Sequence, residues 1–152
     1  MNVWIVEDDD NDANRALEAM TRLGLGDRAA VFRDKTIRWG ADLARMPSAE
    51  GEMPVCGLDH MPAIVVLDLL DEDGKFRAGD FYNRLRAEEA EHPPASFVIV
   101  WSVKTGLQEV HKFLSEKPTV DRRLNFTNTK TDLALDAALA RALRSWQEAQ
   151  YL

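Results

Sequence analysis

The sequence predicts an α/β fold, a three-layer sandwich with helices on both faces of a five-stranded parallel sheet. Three observations carry that expectation. Short apolar runs recur along the chain, at residues 3–6, 29–32, 62–67, 96–101 and, in a more polar version, 124–127. They are continuous rather than alternating and rich in β-branched residues, which marks strands buried on both faces, the condition of a parallel sheet. Segments of helical period separate them, so five strands alternate with five helices and right-handed crossovers are expected.

The elements follow in order. Val3, Trp4, Ile5 and Val6 stop abruptly at Glu7, Asp8, Asp9 and Asp10. From Asn11 the period is helical, with Ala13, Ala16, Leu17, Met20 and Leu23 on one face, Asp10 or Asn11 as the expected N-cap and Gly24 as the stop. The acids Asp9 and Asp10 also suit the positive end of the helix dipole. A weaker strand over 29–32 precedes an expected helix over 36–45 with Ile37, Ala41 and Ala44 inward, although Gly40 works against it. Residues 46–61 contain Pro47, Gly51, Pro54 and Gly57 without periodicity and read as an exposed loop insertion, long for an α/β link. Cys56, Asp59 and His60 in it lack a second nearby cysteine or histidine that would make a metal site.

The run after Pro62 ends at Asp68 in an acidic turn closed by Gly74. Phe81, Tyr82 and Leu85 mark a short helix stopped before His92, Pro93 and Pro94, and the next strand ends at Ser102. Leu107, Val110, His111 and Leu114 mark a fourth helix expected to close at Pro118. The fifth strand leads into Asn128, Thr129 and Lys130, after which Thr131 or Asp132 caps a final helix. That helix turns Leu135, Ala138, Leu139, Ala142, Trp146 and Ala149 inward.

The chain of 152 residues is the size of one domain, and 1–152 is expected to fold as one. With 26 acidic residues against 19 basic ones, a net charge of −7 and no basic stripe, nucleic acid is not an expected partner. There is neither an apolar span long enough for a bilayer nor a secretory signal, so no membrane partner is expected. The single cysteine forms no internal disulfide, and a reducing, cytoplasmic location is expected.

Four of the five strands end in groups that suit one chemistry: Glu7 and Asp8, Asp68, Ser102 and Lys130. In an open parallel sheet these ends share one edge, where ligands collect. Taken singly each has an ordinary reading, as a helix cap, a turn former, a loop hydroxyl or a surface charge. Together they suggest a site. Carboxylates from adjacent strands repel unless a cation intervenes, and hard oxygen donors favour Mg²⁺. With that charge neutralised, Asp68 becomes a carboxylate nucleophile toward phosphorus, while Ser102 and Lys130 hold the phosphoryl oxygens.

Over essentially its full length the chain resembles the receiver domains of response regulators. The motifs that carry the resemblance are Ile5-Val6-Glu7-Asp8, Val65-Val66-Leu67-Asp68-Leu69, Val98-Ile99-Val100-Trp101-Ser102 and Lys130 before the last helix. The resemblance implies a flavodoxin-like fold with strand order 2-1-3-4-5. It also implies a phosphorelay role in which Asp68 accepts a phosphoryl group from a histidine kinase or histidine phosphotransfer protein. Glu7, Asp8, Asp68 and the backbone carbonyl of Leu70 would hold Mg²⁺, and Ser102 and Lys130 would contact the phosphoryl group. In this family such a domain is a phosphoacceptor, not a conventional enzyme.

Three positions depart from the family pattern. The loop after Asp68 reaches Gly74 two residues early and lacks the customary proline, Thr131 replaces the proline that normally follows the lysine, and Thr127 stands where an aromatic residue is common, with Phe126 beside it. The last helix ends near Tyr151, so a stand-alone domain is expected. Its output would be contact with a downstream protein through the fourth helix, fifth strand and fifth helix. The positions implied to line the path of a hydrolytic water, Leu70 and Lys104, predict slow self-dephosphorylation. Two other readings compete: a pseudo-receiver binding module that is never phosphorylated, and an aspartate-nucleophile phosphohydrolase suggested by Asp8 and Asp10. The latter needs an acidic pair after its lysine, and only Asp132 and Asp136, both on the last helix, follow Lys130.

Overall fold

The computed structural model describes residues 2–33, 61–71, 73–91, 94–103 and 107–149, with the backbone of 38–39 and 55–56. The elements are β1 (Val3–Val6), α1 (Asp10–Arg22), β2 (Ala29–Phe32), β3 (Arg38–Trp39), β4 (Val55–Cys56), β5 (Ile64–Leu67), α2 (Ala78–Glu91), β6 (Phe97–Val100), α3 (Gln108–Val120), β7 (Leu124–Phe126) and α4 (Asp132–Ala149). A 3₁₀ turn over Gly26–Arg28 leads into β2.

Five strands form one parallel sheet in the order β2-β1-β5-β6-β7, which is 2-1-3-4-5 among the five main strands. This is the flavodoxin-like arrangement. Strand alternation divides the core into two layers. Trp4, Val6, Val65, Leu67, Val98 and Val100 face Phe81, Leu85, Val110 and Phe113 of α2 and α3. Val3, Ile5, Ile64, Val66 and Ile99 face Ala16, Met20, Leu135 and Leu139 of α1 and α4. Among the described residues no helix is long and apolar enough to cross a membrane.

Four expectations need correction. Four α-helices are described rather than five: most of 36–45 lies outside the described residues, and Arg38–Trp39 pairs in parallel with Val55–Cys56. Tryptophan and valine favour extended backbone, and Gly40 disfavours the helix. The 46–61 segment therefore contains a short strand, while the side chains of Cys56, Asp59 and His60 lie outside the described residues. The N-cap of α1 is Asp9, one residue earlier than expected, its carboxylate accepting the Asp12 N–H at 2.9 Å. Finally, α3 runs through Pro118 to Val120; a proline in the last turn forfeits one hydrogen bond, and Asp121 N–H still reaches the Lys117 carbonyl at 3.0 Å.

Candidate functional site

Register brings the predicted residues together. Val6 is level with Leu67, and Leu67 with Val100, so Glu7, Asp68 and Trp101 leave their strands side by side. The ladder extends one step beyond the strands, with Asp68 N–H on the Val6 carbonyl at 3.1 Å and Trp101 N–H on the Leu67 carbonyl at 3.0 Å. Both Glu7 and Asp68 are buried, at 3% and 7% exposure, and Asp8 is half-buried. One oxygen from each of Glu7, Asp8 and Asp68 lies within 4.8 Å of the others. Such a cluster of hard oxygen donors can hold a divalent ion.

Ser102 and Lys130 reach the same carboxylate. The Ser102 hydroxyl donates to Asp68 Oδ1 at 2.8 Å and accepts the Leu69 N–H at 3.3 Å, so its rotamer is fixed from both sides. Lys130 Nζ lies 3.4 Å from Asp68 Oδ1, 2.9 Å from Glu7 Oε2 and 2.8 Å from Asp12 Oδ2. Ser102 and Lys130 thus both meet Asp68 at the same oxygen, Oδ1.

The electrostatics follow from burial. Desolvation, and then the charge of Asp68, push the Glu7 carboxyl up to about 7 against the pull of Lys130. Burial alone would lower Lys130, yet its hydrogen bonds and charge contacts with Asp12, Asp68 and Glu7 raise it well above the ordinary lysine value. Burial also works to raise Asp12, but Lys130 and Arg15 outweigh it and hold that carboxyl below its ordinary range.

The loop after Asp68 closes tightly despite its short length. Leu70 forms an isolated antiparallel bridge with Phe76, Asp71 N–H donates to the Lys75 carbonyl at 3.0 Å, and Gly74 N–H donates to the Asp71 carbonyl at 2.8 Å. Gly74 takes a φ of +77°, which favours glycine, and Arg77 pairs with Asp71 and Asp73 across the turn. The Leu70 side chain packs partly buried against the α2/α3 core layer. Lys104, the other position implied for the hydrolytic water, lies outside the described residues.

Two participants escape sequence reasoning. Asp12, in the first turn of α1, shares Lys130 with the strand-end acids, and Arg15 pairs with Asp12 at 2.9 Å and with Asp132 at 2.8 Å. An acid three residues before an arginine on a helix is a recognisable pair, but its reach to Lys130 is a tertiary fact. Beside the site, Leu69, Val100, Ser102, Val110, Leu114 and Phe126 help to line a cavity of about 270 Å³ between α3 and β7. Compared with known proteins, the chain matches no family model and no curated protein.

Proposed function

We propose that the chain is a receiver-type phosphoacceptor domain of a two-component or phosphorelay system, in a cytoplasmic setting. The observation that supports it best is Asp68: a buried carboxylate at the carboxyl end of the central strand, with a hydroxyl at 2.8 Å, an ammonium at 3.4 Å and two further acids alongside. The donor set fits Mg²⁺, with Glu7, Asp8 and Asp68 as ligands and the Leu70 carbonyl as the implied fourth. When bound, the ion would neutralise the acids and the developing phosphoryl charge. Asp68 Oδ2 would attack the phosphorus of a phosphohistidine on a histidine kinase or phosphotransfer protein. The O–P bond forms as the N–P bond breaks, and the imidazole leaves with the electron pair. Lys130 would exchange a carboxylate contact for a phosphoryl oxygen, and Ser102 would donate to another.

Output would be contact with a downstream protein. In support, Val103, Leu107 and Phe126 are exposed apolar residues, and Val103 and Phe126 line the α3/β7 cavity that also reaches Ser102. The alternative, a binding module that never cycles, draws on one observation: Asp12 already engages Lys130. The experiment is incubation with a small-molecule phosphodonor and Mg²⁺, read by intact mass and peptide mapping. One phosphoryl group on Asp68, absent from Asp68→Asn, is expected; no label, or label elsewhere, favours the binding module.

A further inference from the structure

Lys130 sits in the loop between β7 and α4, and side chains from α1 and from the end of β6 hold that loop. Arg15 makes three contacts with its guanidinium: Nε to Asp132 at 2.8 Å, Nη1 to Asp12 Oδ1 at 2.9 Å and Nη2 to the backbone carbonyl of Lys130 at 3.2 Å. Asp12 in turn gives its second oxygen to Lys130 Nζ at 2.8 Å. Arg15 therefore grips both ends of one residue, the backbone directly and the ammonium through a bridging carboxylate. Trp101 completes the hold. Its indole N–H donates to the Thr131 carbonyl at 3.0 Å, and its ring lies 4.8 Å from the Arg15 guanidinium carbon and 5.1 Å from Lys130 Nζ. Two consecutive carbonyls, on Lys130 and Thr131, are thus fixed by side chains from α1 and from the end of β6.

We propose that Arg15, with Asp12 and Trp101, is the positioning element that aims Lys130 at Asp68. A planar fork suits this task because its donors diverge at fixed angles. A second ion pair provides the control: Arg22 bridges α1 and α4 through Asp136 at 2.8 Å without touching Lys130. If Arg15 served only to dock the two helices, the two arginines would be equivalent.

The effect on phosphoryl transfer rests on the phosphoacceptor reading, but the aim of Lys130 does not, and the test separates them. In Arg15→Ala and Arg22→Ala, NMR follows the ε-methylene protons of Lys130, for which the Trp101 ring, 5.1 Å from Nζ, is expected to give an upfield shift in the parent protein. The shift is expected to collapse toward that of a free lysine in Arg15→Ala and to persist in Arg22→Ala. Arg15→Lys covers a folding failure of the alanine variant: one ammonium cannot reach Asp12, Asp132 and the carbonyl together, so the same loss is expected. In parallel, labelling of Asp68 by the small phosphodonor should slow by about tenfold or more in Arg15→Ala, as misplacement of a catalytic group does. Arg22→Ala should label at the parent rate. A Lys130 shift unchanged in both Arg15 variants, or moved equally by Arg22→Ala, overturns the proposal. A parent protein that takes no label counts against the phosphoacceptor reading, and the NMR arm then decides the positioning role alone.

Discussion

At the amino ends of β6 and β7, Arg86 is held by Asp121 at 2.8 Å, Glu89 at 2.7 Å and the Ser96 carbonyl at 3.0 Å. The acids around it are capped in turn: Ser96 N–H donates to the second Glu89 oxygen at 2.5 Å, Arg123 N–H to Asp121 at 2.9 Å, and Tyr82 O–H to Asp121. At the carboxyl ends of β1 and β5, Lys130 faces Glu7, Asp12 and Asp68, with Asp8 beside them. Both regions bury a cation among carboxylates. The Arg86 end places a donor against both oxygens of each acid and is a closed structural pin. The Lys130 end has more negative charge than its lysine neutralises, a surplus that a divalent ion could offset.

The comparison breaks most visibly on removing each cation. Arg86→Ala strands Glu89 and Asp121 and should cost about 3–5 kcal/mol in denaturant unfolding, as expected when one partner of a buried ion pair is removed. Added Mg²⁺ should not restore it. Lys130→Ala should cost less, about 2 kcal/mol in metal-free buffer, because half-buried Asp8 and Asp12 keep access to water. Here millimolar Mg²⁺ should recover most of the loss. Equal metal responses would erase the distinction between the two ends.

A smaller effect sharpens it. The folded protein holds the Glu7 proton up to about pH 7, whereas the ordinary carboxyl releases it near 4.5. The native state binds more protons than the unfolded one between those values. The stability Glu7 contributes is therefore complete below about 4.5 and declines as pH rises through about 7. In metal-free buffer the decline should amount to roughly 1–3 kcal/mol. Glu7→Gln should flatten that part of the pH profile, and thermal melts from pH 4 to 8 check it.

Much of the fold was legible because buried parallel strands announce themselves: the runs ending at Val6, Leu67 and Val100 needed no context beyond their own apolar continuity. The inward face of α4 was likewise readable from spacing, with Leu135, Ala138, Leu139 and Ala142 buried, while Trp146 and Ala149 toward its end are only half-buried. The candidate residues Glu7, Asp8, Asp68 and Ser102 were legible as polar groups just past such strands, whereas Lys130 follows the short and mostly exposed β7 by four positions. What stayed hidden depends on pairing between distant segments. Arg15 and Asp132 are 117 positions apart, and Arg86 and Asp121 are 35 apart; on their own helices each arginine looks like a solvated surface charge. The Arg38–Trp39 strand escaped for a related reason, since a two-residue strand exists only through its partner at Val55–Cys56.

The account turns on whether the acid surplus at the Lys130 end receives a divalent ion. The most direct measurement is a Mg²⁺ titration of the full chain followed by carboxyl ¹³C chemical shifts, with Asp8→Ala alongside. The predicted result is one saturable site in the millimolar range that moves Glu7, Asp8 and Asp68 together and leaves Glu89 and Asp121 still. Asp8→Ala should weaken that binding and, by relieving repulsion, raise metal-free thermal stability. No saturation by about 20 mM, or equal shifts at both ends of the sheet, would contradict the claim for a site of ordinary millimolar strength.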